Sequence, residues 1–145
     1  MESWKLYAFA AAFFAGLTSV VAKAGLQTLG ADIGLTVRTL FVLGFVLLNT
    51  LLCIGAPKTL ESIQTTDARS FVLLAISALT TALSWICYYR AMKDGSVTYV
   101  SLVDKGSLLV TVLLSTWFLN EPLTGRVMGG AALILAGLLI IGSGK

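Results

Sequence analysis

Five long apolar runs divide this chain, and nearly all of its charged side chains fall in the breaks between them. The runs cover about 4–22, 33–54, 71–89, 97–119 and 124–141. A bilayer core of roughly 30 Å takes about 20 apolar residues to cross as a helix. Each run is long enough, and five helices use about 100 residues, leaving only short connections and no room for a domain outside the membrane. Membrane strands would alternate apolar and polar residues over about ten positions, and these runs do not. The pattern predicts an all-α fold: a polytopic membrane helix bundle of five transmembrane helices with short loops, forming one domain over residues 1–145. Composition agrees. Only 12% of the side chains are charged, and the mean hydropathy is +0.93. A soluble domain carries roughly a quarter charged residues, so a water-soluble globule, a disordered chain and a disulfide-stapled module are all excluded.

The breaks are readable. Gly25 and Gly30 punctuate the first. Pro57 and the stretch from Lys58 to Asp67 make the second, the longest and most polar. Lys93-Asp94-Gly95 reads as a tight turn, and Asn120-Glu121-Pro122 stops the fourth helix. The first run superficially resembles a signal peptide, with Lys5 ahead of it and Ala22-Lys23-Ala24 at its end. Its length, the acidic Glu2 and the four later spans argue instead for a retained helix. No lipidation or retention motif is evident.

Five spans place the termini on opposite sides. The side of the N-terminus holds Lys5, Lys58, Arg69 and Arg126. The other holds Lys23, Arg90, Lys93 and Lys145, while Arg38 and Lys105 fall inside spans. Basic residues set orientation by their excess on the cytoplasmic side. Here the two sides are equal. Such balance predicts insertion in both orientations, so that two copies pair as an antiparallel homodimer and supply the inverted halves on which many transporters are built. A weakly fixed single orientation is the competing expectation.

Charged groups inside a span are costly and mark cavities or partners. Asp104 and Lys105 lie about eight residues into the fourth run, roughly 12 Å from its end at helical rise. Arg38 lies about five residues into the second. With Lys23, Arg90 and Lys93 they make a basic mouth leading to one intramembrane acid. Asp104 is the candidate coupling or binding residue, able to hold a proton or a cation. A structural ion pair of Asp104 with Arg38 or Lys23 is the equal alternative. Two polar stripes recur at helical spacing: Ser77, Thr80 or Thr81, Ser84 and Tyr88 on the third run, and Ser101, Asp104, Thr111 and Ser115 on the fourth. They fit either a water-accessible path or ordinary hydroxyl bonding between helices. Trp85, Tyr88 and Tyr89 fit either a lining for flat or cationic solutes or an interfacial belt. The candidate pathway residues are thus Asp104, Lys105, Arg38, Lys23, Ser84, Trp85, Tyr88 and Ser101. The basic mouth favours anions, the acid and the aromatics favour cations, and the substrate class stays open.

The last run carries Gly125, Gly129, Gly130, Gly137 and Gly142; Gly125 and Gly129 form a G-x-x-x-G step, continued by Ala132 and Ala136 near that face, suited to close helix packing or a dimer contact. Cys53 and Cys87 read as small apolar residues. With no histidine, triads are excluded. No phosphate-binding loop, nucleophile elbow or metal-ligand cluster is present in the sequence. No enzyme activity, cofactor, metal or nucleic-acid partner is expected.

Several segments in order carry a family likeness: Phe14-Ala15-Gly16-Leu17-Thr18, Ala22-Lys23-Ala24-Gly25-Leu26, Val37-Arg38-Thr39, and Leu83-Ser84-Trp85-Ile86-Cys87-Tyr88-Tyr89-Arg90-Ala91. Then come Val103-Asp104-Lys105, Phe118-Leu119-Asn120-Glu121-Pro122-Leu123 and the glycine-rich last run. Over nearly its whole length the chain resembles a single-domain EamA-type member of the drug/metabolite transporter superfamily. The resemblance implies a multi-pass protein of a bacterial or archaeal cytoplasmic (inner) membrane, moving a small solute or metabolite without an ATP site. Longer relatives carry two such domains in inverted orientation, so this chain looks like half a transporter. Two positions depart from the pattern. Asn120-Glu121 stands where relatives often have Gly-Glu, and Ser101 stands where many have a proline, so the residue that would kink the fourth helix is missing. The small multidrug-resistance family is similar in size and dual insertion, but it has four spans and an acid in the first, where this chain has none. The remaining alternative is an accessory membrane subunit that docks on a partner within the bilayer.

Overall fold

The computed structural model describes residues 3–143, so Glu2 of the signal-peptide argument and Lys145 of the charge count lie outside it. Seven helices follow in order: α1 (Ser3–Gly25), α2 (Ala31–Cys53), α3 (Ala56–Thr65), α4 (Ala68–Asp94), α5 (Val97–Asp104), α6 (Ser107–Leu119) and α7 (Gly125–Ser143). No strand occurs among the described residues. Five segments are long and apolar enough to cross a membrane: α1, α2, α4, α5 with α6 as one stretch Val97–Leu119, and α7. The expected all-α polytopic fold is therefore present.

Large apolar side chains point outward along all five, among them Phe9, Phe41, Leu74, Leu113 and Leu133. Among the described residues only Leu26, Leu35, Tyr89 and Met92 are buried hydrophobics. In water such a surface would collapse or aggregate. In lipid, acyl chains cover it, and only the backbone polar groups must be satisfied internally, which helices do.

Two details differ from the sequence reading. The polar second break contains a helix, α3, begun by Pro57 in its first turn. Proline lacks an N–H and fits there, where no intrahelical acceptor waits for one. Leu60 and Ile63, three apart, share one side of α3, with Lys58 and Glu61 elsewhere on it. The second difference is in the fourth span, which is interrupted. Lys105 N–H donates to Leu102 O (3.1 Å), Gly106 to Val103 O (2.9 Å), Leu108 to Lys105 O (3.1 Å) and Leu109 to Gly106 O (3.0 Å). These bonds span three residues, so the helix tightens into a 3₁₀-like turn at the break. No proline is needed for it.

Caps explain the other ends. Ser96 Oγ accepts from Tyr99 N–H at 3.2 Å and starts α5. Asp67 Oδ2 accepts from Ser70 N–H at 3.0 Å ahead of α4, which lets that helix begin three residues before the apolar run. Hydrogen bonds from the Ser70 side chain and then from its backbone hold the Asp67 carboxyl below its ordinary pKa. Asn120 ends α6 with φ 53°, ψ 33°, a left-handed turn that asparagine tolerates, and Pro122 follows.

The chain divides into two units. One is Val21–Lys93, holding the end of α1, then α2, α3 and nearly all of α4. The other comprises the residues up to Val20 and those from Asp94 onward, with α5, α6 and α7. In this second unit α7 packs on both α5 and α6. A side chain at Gly106 would meet Val103 O at 3.0 Å and Leu138 Cδ1 at 3.3 Å, so glycine permits the tight turn to lie against α7. In the first unit Leu26 fills the space over Gly34, where a Cβ would run into its Cδ2.

Candidate functional site

Within the Val21–Lys93 unit, the end of α1 and the end of α4 are tied by two lysines. Lys23 Nζ donates to Met92 O (2.6 Å) and Lys93 O (2.9 Å). Lys93 Nζ donates in return to Leu26 O (2.6 Å) and Leu29 O (3.0 Å). The last carbonyls of a helix lack intrahelical donors and carry the negative end of its dipole, so ammonium groups belong there. Each lysine neutralises the end of the other's helix region. Two of the four cations expected at a basic mouth therefore hold backbone in place.

A third, Arg90, makes a two-pronged pair with Asp32: Nε to Oδ1 at 3.0 Å and Nη2 to Oδ2 at 3.2 Å. Both side chains are 64% exposed, so solvent screens this pair and its worth lies in fixing geometry. Asp32 is a residue that the span reading missed, because it sits just ahead of the second apolar run. An acid in the first turn of a helix was the available signal, since it complements the helix dipole there.

The fourth cation is different. Arg38 Cζ lies 4.7 Å from the Trp85 ring centroid and 5.9 Å from that of Tyr89. Its Nη1 is buried and has no hydrogen-bond partner, and the same holds for Tyr89 Oη. Tyr89 as a whole is only 4% exposed. A desolvated cation over an indole gains about 2 kcal/mol. Leaving one of its N–H groups unbonded costs about 1–3 kcal/mol, and more where the group is charged. Rings alone leave this corner incompletely satisfied.

Beside it, α2 and α4 enclose an open groove of about 800 Å³, lined by Asp32, Thr36, Thr39, Ser77, Thr81, Trp85 and Arg90 among others. The polar stripe of the third run thus contributes Ser77 and Thr81 to this wall, while Ser84 and Tyr88 lie outside it. The threonine hydroxyls turn back to their own helices: Thr36 to Asp32 O (2.9 Å), Thr39 to Leu35 O (2.8 Å) and Thr81 to Ser77 O (2.8 Å). Their donors are engaged and only oxygen lone pairs remain, so the wall is less polar than its residue types suggest.

The remaining candidates belong to the other unit. Asp104 closes α5 and Lys105 follows it, with Lys105 Nζ 3.7 Å from Asp104 Oδ2. On an unbroken helix neighbouring side chains diverge by about 100°. Ser101 is half-buried one turn earlier on α5. On α6, Thr111 donates to Ser107 O (3.0 Å) and Ser115 to Val112 O (3.3 Å). Among the described residues no cluster of three or more His, Cys, Asp or Glu is placed to hold a metal.

Comparison with known proteins gives one family. The EamA-like transporter family matches residues 2–143. An "Uncharacterized transporter in cobO 3'region" from Sinorhizobium sp. is 31% identical over 140 residues, covering 97% of this chain and 96% of the relative. The "Uncharacterized transporter YvbV" of Bacillus subtilis (strain 168) is 27% identical over 84 residues, covering 58% of this chain and 28% of that protein. No solved structure matches the chain.

Proposed function

The chain belongs to the EamA-like transporter family, and from that premise we propose that it is a secondary transporter of a small solute or metabolite, acting as a dimer of five-span halves in a bacterial or archaeal cytoplasmic membrane. The observation that carries this reading is the broken fourth span. Transporters place discontinuous helices at their solute and ion sites, because a break in a helix supplies polar groups at membrane depth. Here the break coincides with Asp104, the only acid deep in a span among the described residues, and with Lys105 beside it. The pair can exchange its internal contact for a proton, an ion or a solute, which is what coupling requires. Ser101 flanks it on α5. In the Val21–Lys93 unit, taken by itself, the pathway candidates are Arg38 on α2 and Ser84, Trp85 and Tyr88 on α4, with Lys23 bonded to the carbonyls that end α4.

The dimer is proposed as the source of two inverted halves. Alternating access by rocking needs two inverted halves, and the 1–145 chain reads as a single EamA-like half with evenly balanced basic residues. On α7, side chains added at Gly125 or Gly129, the G-x-x-x-G step, would meet nothing within 4 Å, which leaves that step open for a second helix.

The test is exchange in proteoliposomes loaded with an isotopically labelled cellular metabolite extract, read by mass spectrometry of the retained solutes. Selective loss of one solute or a related group is expected, abolished by Asp104→Asn with insertion and dimerisation unchanged. Normal exchange in that variant would remove Asp104 from the mechanism. No exchange of any solute, with one other membrane protein co-purifying at fixed stoichiometry, would replace the transporter by an accessory subunit.

A further inference from the structure

We propose that Arg38 and Tyr89 are the recognition point for an oxyanion, a carboxylate or phosphate group, carried by the ligand of this protein. The inference rests on the transport reading above and gives its solute a chemical class. Four observations support it. Arg38 Nη1 is a donor that cannot accept, it is buried, and it has no partner. Tyr89 Oη is equally buried and unpartnered. The two side chains are neighbours, with the Arg38 guanidinium carbon 5.9 Å from the Tyr89 ring centroid and 4.7 Å from that of Trp85. Asp32, an acid of their own unit, already holds Arg90 with both its oxygens.

What satisfies a guanidinium N–H and a phenol O–H together is an acceptor carrying negative charge. The planar fork of arginine suits carboxylate and phosphate in particular. The field has the same sign. At this end of the Val21–Lys93 unit stand Lys23, Arg38, Arg90 and Lys93 against Asp32, with Asp94 next to Lys93 at the end of α4, and the two lysines are fixed there by their carbonyls. A cationic solute is repelled from such a corner, and a neutral one leaves the guanidinium charge uncompensated. Trp85 bounds both the Arg38 contact and the α2–α4 groove, so an oxyanion on Arg38 changes the surroundings of the indole.

That indole is the reporter. The full chain carrying Trp4→Phe and Trp117→Phe retains Trp85 as its single tryptophan. It is placed in phosphatidylcholine nanodiscs and titrated with sodium phosphate and with sodium succinate. Sodium chloride at matched ionic strength is the control, and tetramethylammonium chloride is the cationic probe. Expected is a saturable change in Trp85 emission with phosphate or succinate and none with tetramethylammonium. Arg38→Gln should weaken binding by at least about tenfold, the loss typical of a hydrogen bond to a charged group. Tyr89→Phe, which keeps the ring and the packing, should weaken it several-fold. It serves as the second variant should Arg38→Gln fail to fold.

A further arm adds phosphatidylglycerol to the nanodiscs. An Arg38-dependent change with that lipid, and none with soluble anions, assigns the oxyanion to a lipid headgroup. A response to soluble anions assigns it to a solute. Absence of any oxyanion response, a saturable response to tetramethylammonium, or binding untouched in both variants overturns the proposal. Exchange measured on the same preparations separates it from the transport reading. Oxyanion binding without exchange of any solute removes transport and leaves this site. Exchange of solutes that lack an oxyanion leaves transport and removes this site.

Discussion

Lysine at a span end ordinarily reaches toward water or a lipid phosphate. Lys23 and Lys93 reach instead for four backbone carbonyls, two each, at 2.6–3.0 Å. Replacing Lys23 with methionine keeps the stem and removes the donors, leaving Met92 O and Lys93 O short of partners in a half-buried place. The expected cost is about 1–3 kcal/mol, read as a fall in melting temperature in detergent. Lys93→Met should cost a similar amount, and the double variant less than the two together, since each clamp presupposes the other. Asp32→Asn is expected to do far less, because its pair with Arg90 is exposed. Its small effect should shrink further in high salt. Sequence placed all of these cations at one mouth but not their partners. Three of them engage neighbours that no residue type announces: two sets of carbonyls and a pair of aromatic rings. Which helix end lies beside which is a property of packing, and the apolar runs do not encode it locally.

At the scale of elements, the runs marked the five spans to within a few residues because burial in lipid demands length and little else. What they did not mark was structure that depends on backbone hydrogen bonds. The helix α3 is short and mixed in character, so it read as a polar loop. The break at Lys105 and Gly106 needs no proline and left no mark beyond a glycine. Gly106→Ala tests it: the new Cβ would press on Val103 O at 3.0 Å. The expected loss is about 1 kcal/mol, typical of mild overpacking, together with faster amide exchange at Leu102 to Leu109. Asn120→Gly should be tolerated and Asn120→Val should destabilise, since a β-branched residue resists φ 53°. The cap of α4 adds a pH dependence. Asp67 titrates below its ordinary value of 3.8, so its stabilisation is fully present above that pH and is lost as pH falls through the lowered value. The Ser70 amide resonance should therefore move only in the acid range below about pH 4, and Asp67→Asn should abolish that titration.

For the whole molecule, the charge balance makes the sharpest prediction. Reporters active on opposite sides of the membrane, fused separately to the C-terminus, should give comparable activity. Adding two lysines to the loop around Lys58 should then silence one of them. Activity from only one reporter in the unmodified chain would require a different protein as the inverted half. The lysine clamp bears on when that choice is made. Lys93 follows Lys23 by 70 positions, so the clamp cannot close until α4 has been synthesised. Until then neither ammonium group holds those carbonyls, and the insertion machinery meets both as positive charges. Afterwards they are bound to carbonyls. The same two side chains thus act twice, first as a vote on orientation and later as a latch on whichever orientation was taken.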